Sequence, residues 1–476
     1  MESNEISLVT QTDNRKFRKF YLAAVAALFG SISMGTGLGY SSPAIPSLQS
    51  VNSNVHLSDA DIPWFGSLLA IGALIGGPIA GFAIDYFGRK LTLMLIPVVF
   101  IAGWLCMIFS HSTGLLLFGR IVTGFSCGLV SLAVPVYIAE TAAPDSRGLL
   151  GSCVQLMITL GILLTYVVGK YIEWKWLALF SMTFPAILTI LMIFVPETPR
   201  WLLSNGKRGD AIKAIDFLYG SSLNAEAECQ ILESNISQQT SERLSWRVLL
   251  LPHVLKPLFL SLGLMIFQQL SGINNVMFYT VSIFQSTGSA MDPNDETIII
   301  GVVLFLATLA GSLLMDLAGR RILLLVSAFV MAFSLAVLGT YYYLDETVRN
   351  SYNWLPLTSM IVYIAAFSIG YGPIPWLMMG ELFSVKVRGW SSGIATFVNW
   401  TFVFLVTKEF HFMIELVHEY GAYWIFGSLC LLSCVFVATV VPETKGKTLE
   451  EIENYFQAKK QLLHSINASD NDLENI

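Results

Sequence analysis

Gln268, Gln269, Ser271, Asn274 and Asn275 stand together inside an apolar run from about Val254 to Phe284. Amides and hydroxyls are costly in such a run unless they face a partner or a water-filled path. They carry no charge, and each amide offers both a donor and an acceptor. That chemistry suits a neutral, hydroxyl-rich ligand rather than an ion. Three further stretches carry the same kind of groups: Gln155 to Thr159, Phe367 to Trp376, and Asn399-Trp400. Gly370, Gly372, Pro373 and Pro375 would break or kink a helix, and broken membrane helices are tolerated where they line a cavity. Trp376, just past the break, offers an aromatic face. On an unbroken helix Gln268 and Asn275 share a side, whereas Asn274 points roughly 120° away. Asn274 joins Gln268 only if the chain unwinds near Ser271-Gly272, which glycine permits.

The elements that must position these groups are membrane spans. The chain is 54% hydrophobic and 13% charged, with a mean hydropathy of +0.65; soluble domains carry about twice that charged fraction. A bilayer core of about 30 Å needs about 20 mostly apolar residues per helix. About twelve such runs are centred near residues 30, 74, 101, 128, 160, 186, 268, 306, 332, 368, 400 and 431. If the N-terminus is cytoplasmic and the spans alternate, 22 of the 27 Lys and Arg fall on the cytoplasmic side. The positive-inside rule then places both termini in the cytoplasm. Arg120, Lys170, Lys175, Arg349 and Lys408 remain for the outer side and outer helix ends. The net charge of −6 is too mixed to imply a nucleic-acid partner. The six cysteines have neither metal-type spacing nor a disulfide pattern, so no metal, cofactor or catalytic residue is expected.

Three signatures recur in the same order after matching spans. Asp85-x-x-Gly88-Arg89 answers Asp316-x-x-Gly319-Arg320. Glu140 with Arg147 answers Glu381 with Arg388, and Glu197 in Pro196 to Arg200 answers Glu443 in Pro442 to Gly446. This amounts to an internal duplication, and paired six-helix halves are a recurring transporter design. The expected fold is an all-α membrane protein with 12 transmembrane helices in two pseudo-symmetric halves. The expected divisions are a cytoplasmic N-terminus 1–19, an N-terminal half 20–196, a cytoplasmic linker with short helices 197–252, a C-terminal half 253–441 and a cytoplasmic tail 442–476. Unpaired ions at a membrane boundary are costly. The matched acids and guanidiniums are therefore expected to form a network across the two halves, acting as a switch if it closes only in one state.

With these motifs in place the chain resembles the sugar porter family of the major facilitator superfamily over about Phe20 to Gln457. The motifs carrying the resemblance are Gly88-Arg89, Glu140 with Arg147-Gly148, Pro196 to Arg200, Gln268 to Asn274, Gly372 to Trp376, and Pro442 to Gly446. It is most similar to the type-8-like facilitative hexose transporters and then to the insect facilitated trehalose transporters. The resemblance implies a sugar site of Gln155, Ile158, Ile162, Gln268, Gln269, Asn274, Phe367, Trp376 and Asn399, with Phe278 and Tyr279 as gate aromatics. It implies a major facilitator fold, no cofactor, a monosaccharide or disaccharide as substrate, and a monomer in a plasma or vesicle membrane. Leu304 and Ser368 stand where relatives often carry Asn and Glu.

Proton-coupled relatives have an Asp in span 1 where this chain has Gly37, and no carboxylate lies near mid-membrane in spans 1, 5, 7 or 8. Without a titratable group facing the path, proton coupling lacks a carrier. The expected activity is facilitative uniport of a neutral sugar, most simply a hexose such as glucose. A trehalose facilitator, a proton symporter and a non-transporting sugar sensor are the alternatives. His411, Glu415 and His418, at i, i+4 and i+7, are expected to be a solvated face rather than an enzymatic or metal site.

Overall fold

The computed structural model describes residues 19–50, 53–143, 145–220, 225–240, 252–287, 289, 291–383, 387–447, 451–452 and 456. The basic residues Arg15, Lys16 and Arg18 and the end of the tail lie outside them, as do the side chains of Asp316 and Arg388. Among the described residues eleven helical segments are long and apolar enough to cross a membrane. The last, Gly389–Val440, has 52 residues, more than twice the span of a bilayer core at about 1.5 Å per residue. It folds back at His418, whose φ of 60° and ψ of 172° interrupt the helix, so it supplies two spans and the described residues contain twelve. In order, spans 1 to 6 are Lys19–Gln49, Ile62–Phe87, Arg89–Ile108, Thr113–Thr141, Arg147–Gly169 and Trp174–Ile193. Spans 7 to 10 are Val254–Thr287, Pro293–Met315, Arg320–Tyr343 and Leu355–Leu382, and spans 11 and 12 share Gly389–Val440. Phe82, Val98, Phe194, Leu313, Phe333 and Val435 are exposed on the outside of this bundle, the apolar belt that lipid would cover. This is a multi-pass membrane protein.

Pro199–Ser204, Arg208–Tyr219 and Ala225–Thr240 form short helices between the halves. Their apolar faces meet in a small core of Leu202, Ala211, Ala214, Ile215, Ala225 and Cys229. Tyr219 donates to the Thr141 carbonyl at 3.2 Å and ties this layer to the first half. The end of the bundle that carries it is called the linker face below, and the other end the opposite face.

The duplication read from the sequence has a matching geometry. Gly88 and Gly319 end spans 2 and 8 with φ of 92° and 89°, a region that favours glycine. A Cβ on either would crowd a carboxylate oxygen, Glu197 Oε2 at 2.4 Å or Glu443 Oε2 at 2.8 Å. Those carboxylates cap the following helices: Lys90 N donates to Glu197 at 2.9 Å, and Arg320 N and Arg321 N donate to Glu443 at 3.0 and 3.1 Å. A carboxylate at a helix N-terminus also meets the favourable end of the dipole.

Candidate functional site

A cavity of about 560 Å³ lies between the halves. Gln155, Ile158 and Ile162 of span 5, Gln268, Gln269 and Asn274 of span 7, Phe367 and Trp376 of span 10, and Asn399 of span 11 all line it. Arg147, Gly148, Gly380, Gly389 and Ser392, at the linker-face ends of spans 5, 10 and 11, line it too. The cavity is therefore open toward the linker face. Among the described lining residues Arg147 is the one charged side chain, and no carboxylate is present.

Local breaks bring these groups together. Span 7 is helical over Pro252–Leu270 and again over Ile273–Thr287, with Gly272 at a φ of 85° between them. Past this break Asn274 Nδ2 donates to Gln269 Oε1. Ser271 Oγ, at the break, donates to the Gln268 carbonyl at 2.7 Å, and Tyr363 OH donates to the Ser271 carbonyl at 2.9 Å. Span 10 stops at Ile369 and restarts at Ile374. Pro375 has no N–H, so the carbonyl four residues before it, Tyr371 O, lacks a helical donor. Gln268 Nε2 takes that place at 2.7 Å and also donates to Gly372 O at 3.0 Å.

A donor and acceptor count divides the amides sharply. Gln268 has two N–H donors and two carbonyl lone pairs. The donors go to span 10, and Oε1 accepts from Gln269 Nε2 at 3.1 Å and Asn399 Nδ2 at 2.9 Å. Its orientation is forced, because two carbonyls require the NH₂ side. Gln268, central to the polar stretch in the sequence, is thus saturated. Gln155 makes no side-chain hydrogen bond among the described residues and is half-buried at the cavity wall, leaving its amide open to a ligand. Asn399 Oδ1, and one N–H each on Gln269 and Asn274, are similarly uncommitted. Leu304 lines the cavity. Ser368 is buried, donates to Ile364 O at 2.7 Å and is not part of the wall.

Two buried polar residues stand apart from the sequence reading, Ser31 in the cavity wall and Arg120 outside it. Ser31 of span 1 lines the cavity, is fully buried, and its Oγ has no partner among the described residues. Other hydroxyls in the wall, including Ser131, Thr159, Thr308 and Ser312, bond carbonyls three or four residues back. No sequence signal distinguishes Ser31 from these. Arg120 was placed at an outer helix end; the structure buries it completely within span 4. Its guanidinium donates to Phe65 O at 3.1 Å, Gly37 O at 3.0 Å and Ser41 Oγ at 2.6 Å, and lies 5.1 Å from the centre of the Phe65 ring. The signal was present: a single arginine two turns into an apolar run.

Phe278 and Tyr279 are buried at the opposite face rather than in the cavity wall. Tyr279 leaves helical geometry at φ −122°, donates to Thr407 O at 3.4 Å and stacks on Phe410 at 6.0 Å. His411 packs edge-on to it at 4.9 Å, so this histidine belongs to an aromatic cluster and not to a solvated face. The turn at His418 also removes the single helix on which it would align with His411. Hydrogen bonds between the halves gather at this end. Tyr166 OH donates to Met277 O at 2.7 Å and Val281 N to Ser42 Oγ at 3.2 Å, and Lys170 pairs with Asp295.

The charged residues gather in two clusters at the linker face. Arg89 pairs with Glu140 at 3.0 Å and Asp85 at 3.4 Å, and Thr198 Oγ1 donates to the second Glu140 oxygen at 2.7 Å. Arg320 pairs with Glu381 at 3.1 Å, and Thr444 Oγ1 donates to Glu381 at 2.6 Å. Among the described residues the pairs of each cluster lie within one half. The reason is geometric: the halves are parted where these residues sit, and Arg147 stands exposed in the cavity wall with no carboxylate paired to it among the described residues. Burial pushes the Glu197 carboxyl up despite the backbone N–H groups of Thr198, Lys90 and Arg89. Burial acts the same way on Glu443, but N–H groups of Lys445, Arg320, Arg321 and Thr444 outweigh it and hold that carboxyl below its ordinary value.

Residues 22–456 match the family described as "Sugar (and other) transporter". The mouse (Mus musculus) solute carrier family 2, facilitated glucose transporter member 8 is 41% identical over 464 residues, covering 93% of this chain and 95% of that protein. The Bombyx mori facilitated trehalose transporter Tret1 is 42% identical over 437 residues, covering 91% and 86%. Among solved structures, the proton:xylose symporter XylE bound to 6-bromo-6-deoxy-D-glucose aligns with a TM-score of 0.76 at 28% identity, covering 92% and 99%. An inward-open form of XylE from E. coli aligns with a TM-score of 0.76 at 26% identity, again covering 92% and 99%.

Proposed function

The chain belongs to the sugar transporter family of the major facilitator superfamily, and from that premise we propose that it is a facilitative uniporter of a neutral sugar, a hexose such as glucose. It is a transporter rather than an enzyme. The observation that carries the reading is the cavity wall: uncharged amides from both halves, the Trp376 indole, and no carboxylate among the described residues. Gln155, Gln269, Asn274 and Asn399 would exchange hydrogen bonds with sugar hydroxyls, Trp376 and Phe367 would cover the C–H face of the ring, and Ile158 and Ile162 would bound it. Gln268 would enter only by giving up a bond it now makes. With both termini cytoplasmic, as the basic residues suggest, the linker face is the inner side and this is the inward-facing state. Tyr279 and Phe278 then serve as the outer gate, and the halves 20–196 and 253–441 rock about the site. One polypeptide contains the whole path, so a monomer in a plasma or vesicle membrane suffices.

Uniport has its own support. The guanidinium of Arg120 rests on two backbone carbonyls and a hydroxyl, with no carboxylate bonded to it among the described residues. A carboxylate there could alternate between proton and arginine; neutral acceptors cannot. Trehalose is the second substrate reading, favoured by the likeness to the Bombyx mori relative and by a cavity of about 560 Å³. Proteoliposome uptake of glucose, fructose, galactose and trehalose, with and without an imposed pH gradient, tests both points. Accumulation above equilibrium would refute uniport. Transport of every sugar left unweakened by Gln155→Ala and Gln268→Ala would refute the site.

A further inference from the structure

Gln268 spends every hydrogen-bonding position it has inside the protein. Its two donors hold Tyr371 O and Gly372 O, the backbone of the break in span 10. Its acceptor gathers Gln269 and Asn399. The side chain is also 3% exposed and lines the cavity. A ligand hydroxyl reaching it must displace one of these bonds. The bonds are not equivalent. Asn399 and Gln269 are side chains that can turn toward the ligand themselves, whereas the span-10 carbonyls are fixed in the chain. Tyr371 O has no helical donor to fall back on, because Pro375 cannot supply one.

From this we infer that Gln268 is a latch on span 10 as well as a wall of the site, and that a sugar engages it by exchange. Two sugar hydroxyls accepting the two N–H groups of Gln268 Nε2 release Tyr371 O and Gly372 O and free the inner segment Ile374–Leu382 to swing about Gly370 to Pro373. Leu382 lies at the linker-face end of span 10, beside the cavity mouth at Gly380. Binding at the centre is thereby linked to the inner opening through one amide. The linkage follows because the latch bonds exist only without the ligand, so ligand and latch shift one equilibrium in opposite senses. The sugar part of this inference rests on the uniporter reading; the latch does not.

Hydrogen–deuterium exchange of the full-length protein in nanodiscs, followed over peptides spanning 367–379, separates the possibilities. The amides of Gly370, Tyr371, Gly372 and Ile374 report the order of the break, since each donates within it or to Ser327. In sugar-free protein Gln268→Met, which keeps length and loses the amide, should speed exchange there on the order of tenfold. In the unaltered protein D-glucose should produce the same acceleration, and in Gln268→Met glucose should add nothing. Gln268→Met/Pro375→Ala is the second variant. The new N–H at residue 375 can satisfy Tyr371 O, so exchange should return toward the original rate. Gln155→Ala should weaken the glucose response without changing the sugar-free rate.

Unchanged sugar-free exchange in Gln268→Met would overturn the latch, as would failure of Pro375→Ala to restore it. Acceleration by Gln268→Met together with silence of the unaltered protein toward glucose and trehalose would leave the latch standing and overturn the sugar reading. If Gln268→Met does not fold, the Pro375→Ala variant alone decides: the latch requires slower exchange at the break and a smaller glucose response, and no change overturns it.

Discussion

Tyr279 lies against Gly66 so closely that a Cβ at residue 66 would stand 2.3 Å from its hydroxyl oxygen and 2.8 Å from Cζ. Gly66 belongs to span 2 and Tyr279 to span 7, so the contact joins the halves at the opposite face. Overpacking of this kind costs about 1–3 kcal/mol, and it is felt only while that face is closed. Gly66→Ala is therefore expected to move the equilibrium away from the inward-facing state, slowing net transport by roughly ten- to hundredfold. Thiol labelling of a cysteine placed at Gly389, in the inner mouth, should fall in parallel. Adding Tyr279→Leu removes the colliding ring and should restore labelling. Unchanged labelling in Gly66→Ala would show that the gate closes elsewhere.

The amides of the site should separate in kinetics. Gln155 is uncommitted, so Gln155→Ala loses only ligand bonds and should raise KM about five- to thirtyfold, at roughly 1–2 kcal/mol, with little change in maximal rate. Ser31→Ala should behave in the same way but more mildly, because one buried unpaired hydroxyl is removed and nothing inside the protein is left without a partner. Gln268→Ala instead strands two span-10 carbonyls and should depress maximal rate as well as affinity. Initial rates of zero-trans and equilibrium-exchange uptake for the transported sugar read both quantities. Equal effects of Gln155→Ala and Gln268→Ala on KM alone would contradict this division.

Much of this arrangement was legible in the sequence, and the parts that were not share a cause. Apolar run length locates the spans because the bilayer fixes it. The Gly-Pro cluster of span 10 and Gly272 of span 7 announce breaks because backbone chemistry is local. The assembly of Gln268 with Asn274 and Asn399 depends on those breaks and could be anticipated. What one sequence cannot carry is the state of the molecule. Whether the Arg89 and Arg320 clusters bridge the halves depends on how far the halves are parted, and the same residues are compatible with either outcome. Saturation of Gln268 was invisible for a related reason. Its partners are main-chain carbonyls, which every residue possesses, so no side-chain pattern marks them. Arg120 was misplaced by counting it with helix ends, although its depth in span 4 was available.

Glu197 and Glu443 occupy matched positions but differ in how they titrate, and that difference is measurable. Glu443 is held below its ordinary value of 4.5 by four backbone donors. Its contribution to stability is present above that value and lost as pH falls through the lower folded-state value. Glu197 is raised from 4.5, so the sign reverses: its contribution is present below 4.5 and lost as pH rises through the folded-state value. At neutral pH Glu443→Gln should be destabilising, by about 1 kcal/mol once solvent screening of this partly exposed carboxylate is allowed for. Glu197→Gln should cost less there. Thermal unfolding in detergent from pH 4 to 8 (values that bracket the carboxylate range) checks both signs. A larger loss from Glu197→Gln at neutral pH would reverse the assignment.

Lys170 and Asp295 pair across the halves at the opposite face, at the end of span 5 and the start of span 8. The hydrogen bond from Lys170 to Asp295 holds the ammonium above its ordinary range. Both groups retain solvent, with side chains 22% and 45% exposed, so the pair is screened and its effect is modest. It can form only while this face is closed, so it biases the inward-facing state without being required for it. Lys170→Asp should place two carboxylates together and shift the equilibrium outward by no more than about fivefold. Asp295→Lys should do the same with two ammoniums, and Lys170→Asp/Asp295→Lys should recover most of the loss because the charges meet again in exchanged order. Labelling of the inner-mouth cysteine at low and high salt provides the measurement. The single-variant shifts should shrink as salt is raised, whereas the steric shift from Gly66→Ala should not. A double variant no better than either single one would mean that these side chains act on the gate separately.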